Sequence, residues 1–547
     1  MLGKGDVDFM DPNVSYYSIG YLAHRLWSRQ LYSYPGDEAN STKAVPDLAT
    51  GPAEVSADGL TVTVKLREGA RWNTSPARQV SAEDVVRGVK RTCNPAQPFG
   101  GLPDFQDLLV GFDEFCSGFA KVKPDAASIA GYINKNEFDG VKVGADPLTV
   151  VFKLNHPASY FPDMLTLTAF SPAPKEYDAY VPASAQLAAN TISDGPYKID
   201  SYKATKSIVF SRNPAWKAET DPIRKAYVDK VVIDQTVTQE STQQQLQTGS
   251  PKADMGFDNA PPPSQLPGLI SKQDPLLHLG PTAASNPYLV FNFRSPNNGG
   301  AMKKVEFRQG LMHAINRDHL IQDLGGPKVN PPLTHVLPKE IIGGEQDFDL
   351  YPYDVAKAKT LLAQSGSASP TIKILYDSGS EGTKKNFATL QQDLKQAGVT
   401  VVGVPAPTAD IYTKYLTEPS VASRGVWDIT FAGWGPDWFG NAALSYFKPL
   451  FSGKPAFPPN GSNFGFYESS AANALIDKAA RAKNQDEAAE LWQQADQQVM
   501  KDAAFYPVTS PLEATYRAKQ VQNAQYISAI QNFDPTNVWL DPKVNGG

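Results

Sequence analysis

The stretch Leu60-Thr-Val-Thr-Val-Lys-Leu-Arg67 alternates apolar and polar positions and follows the turn pair Asp58-Gly59. A period of two with β-branched residues predicts a half-buried strand. Residues 148–154 predict a second strand of the same kind. Between them, Ser81-Ala-Glu-Asp84 predicts a helix start: Ser81 caps, Asp84 stands three residues later, and residues 86–91 continue the helix. Ser193-Asp-Gly-Pro196 predicts a turn, and Tyr197-Lys-Ile199 begins a strand. Strands over 208–210 and 228–234 and a helix over 239–246 follow, before the Pro-rich loop 260–264 breaks the pattern.

The apolar run 288–293 predicts a buried strand, and after it the grammar changes. Helices are expected over 305–322, 354–364 (ended near Gly366), 383–397 (stopped by Gly398), 470–482 and 486–501. Strands are expected over 372–376, 399–402 and 426–431, with a strand-like run at 504–509. Alternating strand and helix predicts an α/β domain with a largely parallel sheet. A β-rich first half and an α/β second half therefore meet near 285–290 and again near 503–510. Two crossings suit a hinge, because few residues absorb the rotation of two rigid lobes.

The chain has 547 residues, enough for about three domains or two large lobes. The formal charge, 51 − 57 = −6, argues against broad phosphate-backbone binding, so no nucleic-acid partner is expected. No apolar run approaches the ~18 residues of a membrane helix. Met1-Leu-Gly-Lys-Gly5 lacks the apolar core of a signal peptide, so the protein is either cytosolic or has lost a leader. Cys93 and Cys116 are the only cysteines and lie in one segment. A disulfide, and with it an oxidising compartment, is favoured over two buried thiols. None of the six His lies near either Cys, which argues against a zinc site.

The usual nucleotide-binding, zinc-protease and nucleophile-elbow motifs are absent. One S-x-x-K, Ser445-Tyr-Phe-Lys448, lacks its S-D-N and K-T-G companions and reads as chance. His313 and His319 are six apart in a helical stretch and fall on different faces. No catalytic residue, metal or cofactor is expected.

Ser56-Ala-Asp-Gly-Leu-Thr-Val-Thr-Val-Lys-Leu-Arg-Glu-Gly-Ala-Arg-Trp72 resembles the signature segment of the extracellular solute-binding proteins of family 5. That family includes the oligopeptide-, dipeptide- and nickel-binding proteins of ABC importers. Further landmarks follow in the family's order. Ser81-Ala-Glu-Asp-Val85 resembles its "(T/S)AxDV" helix start. Ser193-Asp-Gly-Pro-Tyr-Lys198 resembles "GTGPYK", with Asp194 in place of the usual Thr. Arg212-Asn-Pro-Ala-Trp216 resembles "RNPxYW", one residue shorter. Phe291-Asn-Phe-Arg294 with Phe307-Arg-Gln-Gly-Leu-Met-His-Ala-Ile315 resembles "NxxxPPFxDxRVRQAxxxAID". Gly433-Trp-Gly-Pro-Asp437 resembles the "GWxxD" loop. The likeness runs over nearly the whole chain.

The resemblance implies an α/β, two-lobed periplasmic-binding-protein-like fold, the large three-domain type II variant, with a hinge between lobes. Lobe I would comprise 1–44, a β-rich insert 45–185, 186–287 and 504–547; lobe II would be 288–503. It implies a lipid-anchored or secreted precursor whose anchoring Cys lies upstream of Met1. It also implies a monomer that captures an oligopeptide by hinge closure and delivers it to the ABC permease subunits in the membrane. A sugar, metal chelate or antibiotic-like amine is the alternative ligand.

The resemblance places the peptide's α-ammonium on Asp437, since a buried ammonium needs a paired charge. The residues alone also allow Asp437 to cap a helix over 438–447. Trp434 and Trp438 flank it as aromatics that can border an extended ligand, with a core role for one of them as the alternative; Trp434 reads as a buried wall and the role of Trp438 stays open. Tyr16, Tyr17, Phe257, Asp258 and Asn292 complete the candidate ligand contacts, each with packing as an equal alternative. Peptide recognition in this family resembles strand addition with roomy side-chain pockets. Arg294, Arg317 and Arg424 are cations available for a terminal carboxylate, and the sequence does not place them.

Overall fold

The computed structural model describes residues 1–282, 284–407, 410–459 and 461–544. The chain groups into two units. The first gathers Met1–Pro281, Asp437–Gly440 and the chain from Glu513 onward; the second gathers Thr282–Pro436 and Asn441–Leu512. The chain passes from one to the other at 281–282, 436–437, 440–441 and 512–513.

In the first unit, Glu54–Val55, Thr61–Lys65, Thr149–Lys153 and Val141–Val143 form an antiparallel sheet in that order. Val62 pairs with Phe152 and Val64 with Val150, and all four are buried. The intervening Thr61, Thr63 and Lys65 are not, which is the alternation that a one-sided strand requires. The helix Ala82–Arg91 opens on the capping box of Ser81 and Asp84. Asp84 also accepts from Trp72 Nε1 at 3.0 Å and from Arg78 at 2.9 Å, so one carboxylate fixes helix, strand and turn together. A disulfide joins Cys93 to Cys116 in the helix Phe112–Phe119.

A second antiparallel sheet joins Lys230–Asp234, Ser207–Arg212 and Tyr197–Lys203. Near it lies a charge network. Arg29 and Arg224 both bond Asp47, at 2.8 and 2.9 Å, and Arg224 also approaches Asp221 at 3.4 Å. All four side chains are fully buried. Burial alone would raise the Asp221 carboxyl, but Arg224 and Arg29 outweigh it and hold it well below the usual carboxylate range. Asp194, the departure from the family's "GTGPYK" pattern, accepts from the Arg29 main-chain N–H at 2.9 Å. Burial pushes its carboxyl up to about 7 against the pull of Arg29.

The second unit is built on a five-stranded sheet in the order Thr400–Ala406, Thr371–Asp377, Ile429–Ala432, Tyr288–Phe291, Phe505–Pro507. The first three run parallel, but Tyr288–Phe291 is antiparallel to both its neighbours. The expected largely parallel sheet is therefore mixed. Parallel pairing needs a crossover, which the helix Glu381–Gln396 supplies between Thr371–Asp377 and Thr400–Ala406.

Three further expectations need correction. The helix over 305–322 is two helices, Val305–Ala314 and Arg317–Asp323. Asn316 starts the second one, its side chain accepting from Asp318 N, as a cap residue does. The strand over 426–431 begins only at Ile429; Asp428 before it still bonds Lys373 O and Asn292 N through its main chain, while its side chain accepts from Ser295, Asn297 and Lys373 N. Asp437 caps no helix: residues 438–443 are irregular and the next helix is Leu444–Phe451. Among the described residues no helix is long and apolar enough to cross a membrane.

Candidate functional site

The strand Ile429–Ala432 ends in the loop Gly433-Trp-Gly-Pro436, and Asp437 follows as the first residue of the excursion grouped with the first unit. As a residue Asp437 keeps partial exposure, but its Oδ2 is closed off from solvent. Asp104, buried at the end of the tight turn Leu102–Asp104, meets it by a hydrogen bond, and so does Tyr16. Burial raises the Asp437 carboxyl well above the usual range, and the charge and hydrogen bond of Asp104 raise it further; the Tyr16 hydrogen bond opposes them. Burial, and then the charges of Asp437 and Asp104, push the Tyr16 phenol well above its ordinary value.

Two carboxyls in hydrogen-bond contact do not both ionise readily, so the pair holds a proton between them. Such a pair is suited to a positive charge: an ammonium group takes the proton's place and both oxygens gain.

The surroundings hold this locus stiffly. Phe439 N donates to the Tyr34 hydroxyl at 2.9 Å. Trp438 is 1% exposed and stacks on Tyr160 at 6.1 Å between centroids. Its surface is used in packing, so it is a support rather than a ligand wall. Tyr16 packs edge-on against Phe99 at 5.3 Å, and its main-chain N–H donates to Asp8 at 2.6 Å.

The other candidates divide. Tyr17 stands 63% exposed at the start of the helix Ser18–Trp27. Phe257 and Asp258 line a cavity of about 140 Å³ within the first unit. Phe257 is core, whereas Asp258 is exposed and accepts from Lys4 N and Gly5 N at 2.9 and 2.6 Å. In the second unit, Trp434 is half-buried and donates to Ser445 O at 2.8 Å. Asn292 is fully buried, with Nδ2 donating to Ala422 O and Trp427 O and Oδ1 accepting from Arg294 N. Asn292 is a latch of the second unit and not a ligand contact, because every polar group of its side chain is satisfied inside the fold.

The three cations also resolve. Arg294 lies over the Phe466 ring at 3.9 Å. Arg317 pairs with Asp349 at 2.9 Å, and Arg424 is exposed. Ser445 is buried with its Oγ donating to Ala442 O, which does not suit a nucleophile. Among the described residues no group of His, Cys, Asp and Glu has the makings of a metal site. Sequence reasoning missed Asp104. Its only signal is an acid closing the turn Gly100-Gly-Leu-Pro-Asp104, and nothing local points it at Asp437.

The fold is the two-lobed α/β fold of the periplasmic binding proteins. The model of the bacterial extracellular solute-binding proteins, family 5, matches residues 43–458, and the chain belongs to that family. It is 26% identical over 508 residues to di/tripeptide-binding protein 4 of Pseudomonas aeruginosa, covering 91% of this chain and 86% of that one. It is 27% identical over 478 residues to the dipeptide-binding protein of Escherichia coli, covering 85% and 80%. Among solved structures, clavulanic acid biosynthesis oligopeptide binding protein 2 superposes with a TM-score of 0.85 at 23% identity, covering 99% and 94%, a likeness of fold. Members of the family are substrate-binding proteins of transport systems.

Proposed function

We propose that this protein is the substrate-binding component of an ABC importer, that it captures oligopeptides, and that it delivers them to a membrane permease. The observation that carries the reading is the Asp437 carboxyl, sunk into the first unit and held against Asp104 and Tyr16. A free peptide always offers an α-ammonium, whatever its sequence. A site that fixes that group leaves side-chain preference to other pockets, as a broad peptide importer requires. The peptide names of the relatives support the same ligand class. The protein binds and releases without chemistry on its ligand, acts as a monomer outside the cytoplasm, and is tethered by a lipid on its precursor. The Cys93–Cys116 disulfide suits that oxidising compartment.

The test is thermal unfolding against peptides of two to eight residues, their N-acetylated copies and a panel of sugars. Ligand at 100 times its dissociation constant adds about 2.7 kcal/mol of stability. Free peptides raise the midpoint, acetylated copies do not, and Asp437→Asn loses the effect. A shift from sugars alone, or equal shifts from free and acetylated peptides, refutes the reading.

A further inference from the structure

The cavity beside Phe257 and Asp258 contains a group that the sequence did not single out. Its walls come from the start of the helix Ser18–Trp27, from the segment 257–260, from the strand Leu512–Tyr516 and from residues 530–532. Glu513, Ala514 and Thr515 all line the cavity, and of these Glu513 and Thr515, as alternate residues of the strand, share a face. Leu512 and Tyr516 do not line it.

Glu513 finds no hydrogen-bond donor and no cation among the described residues, and burial pushes its carboxyl up to about 7. Thr515 is 8% exposed, and its Oγ1 has no hydrogen-bond partner among them. Asp258 adds a second carboxylate. It is clasped by the loop Gly3-Lys4-Gly5, where a Cβ on Gly3 would stand 2.0 Å from its Oδ1, so glycine is what lets the amides approach. Asn532 is satisfied: it donates to Gly256 O and Phe257 O and accepts from Phe533 N.

The walls thus carry two carboxyls and no Lys, Arg or His. The helix start at Ser18 contributes roughly half a positive charge, against two full negative charges when both acids are ionised. The balance calls for a cation. The volume, about 140 Å³, admits the head of one long side chain, or about five groups of water size at roughly 30 Å³ each, and not a peptide.

We propose that this cavity is a subsite for a basic side chain, in which Glu513 and Asp258 receive an ammonium or guanidinium group and Thr515 Oγ1 joins the contact, so that the protein favours peptides carrying Lys or Arg. The identity of the ligand as a peptide rests on the function proposed above; the cation chemistry of the cavity does not. Removing an isolated carboxylate in favour of its isosteric amide leaves the shape intact, and Glu513→Gln is therefore the variant to use.

Affinities for trialanine, Ala-Lys-Ala, Ala-Arg-Ala and Ala-Glu-Ala are measured by titration calorimetry for the parent protein and Glu513→Gln, and agmatine alone is tested by thermal shift. The expected result is at least a tenfold preference for the basic tripeptides over trialanine, collapsing toward one in Glu513→Gln, with Thr515→Val reducing it in part. Equal affinity across the panel, or a preference that survives in Glu513→Gln, overturns the subsite and leaves the peptide reading standing. Binding of agmatine that depends on Glu513, with no peptide bound at all, supports the subsite and overturns the peptide reading. No response to any of them overturns both.

Discussion

Peptide binding through Asp437 is expected to follow a bell-shaped pH profile, and both limbs can be worked out from the site. The contact needs an ionised Asp437 and a protonated amine. In the free protein, burial and the neighbouring Asp104 hold the Asp437 carboxyl well above its usual range. Below that raised value, binding must first expel a proton, so affinity falls about tenfold per pH unit, or about 1.4 kcal/mol. The α-amino group of a peptide titrates near 7.7–8.0, and above that value affinity falls again at the same slope. The sign follows from the direction of the shift: an acid raised in the free state opposes binding of a cation at low pH and permits it as pH rises. Asp437 and Asp104 share one proton while the Tyr16 phenol keeps its own, so one proton, not two, is displaced per ligand.

The assay is titration calorimetry from pH 5 to pH 9, in paired buffers of different ionisation enthalpy. The buffer dependence counts protons released on the acid limb and taken up on the alkaline limb. N-acetylated peptides lack the alkaline limb and bind weakly throughout. Asp437→Asn removes one member of a buried charge contact, which typically costs 2–5 kcal/mol, so affinity falls by about thirtyfold or more. An affinity that nowhere falls as pH is lowered across this range, with no proton released, refutes the argument. So does an Asp437→Asn protein that binds free peptides as tightly as the parent.

Asp47→Ala leaves Arg29 and Arg224 buried without their shared carboxylate, and loss of one partner from a buried pair costs about 3–5 kcal/mol; urea unfolding followed by Trp fluorescence should show the first unit unfolding early, and an unchanged midpoint refutes the network's role. Asn292→Ala strips the Ala422 and Trp427 carbonyls of their donor and should lower stability by about 2–3 kcal/mol without altering peptide affinity in the folded protein; a loss of affinity at full folding would return Asn292 to the ligand contacts. Glu513→Gln should stabilise the ligand-free protein, and by about 2 kcal/mol more at pH 8 than at pH 5 after allowance for partial exposure. The reason is that an acid raised to about 7 in the fold disfavours folding increasingly as pH climbs from its unfolded value to its folded one. A pH-independent difference in midpoint refutes this.

The elements that could be read from the chain are those whose cause is local. The alternation in Thr61–Lys65 shows directly in the sequence because every second residue meets the same sheet face. The capping box at Ser81 and Asp84 shows because both partners lie within four residues. Where a distant side chain intervenes, the reading fails. Asp428 gathers Ser295, Asn297 and the Lys373 main chain around its carboxylate, contacts with segments far away in sequence that no local pattern announces. The mixed sheet of the second unit was equally hidden, since strand direction depends on where the chain enters and not on what any strand is made of.

The same division explains the site. The resemblance pointed to Asp437 through the loop that presents it, but the surroundings of its carboxyl were not legible: burial raises it, and Asp104 reaches it from the turn Leu102–Asp104 and raises it further. Glu513 carried no motif at all; it sits in a strand where Leu512, Ala514 and Tyr516 supply the visible pattern, and its meaning comes from what the cavity lacks. On the two proposals above, the two acids divide the work on physical grounds. A carboxyl whose partners are another acid and a phenol suits the α-ammonium that every free peptide has, and so gives affinity without selection. A carboxyl without a cation in a small cavity, with a second carboxylate beside it, suits a charge that only some side chains bring, and on the proposal above gives selection. The combination of a general anchor with a particular filter is open to separation by experiment, because Asp437→Asn should weaken all peptides alike while Glu513→Gln should weaken only the basic ones.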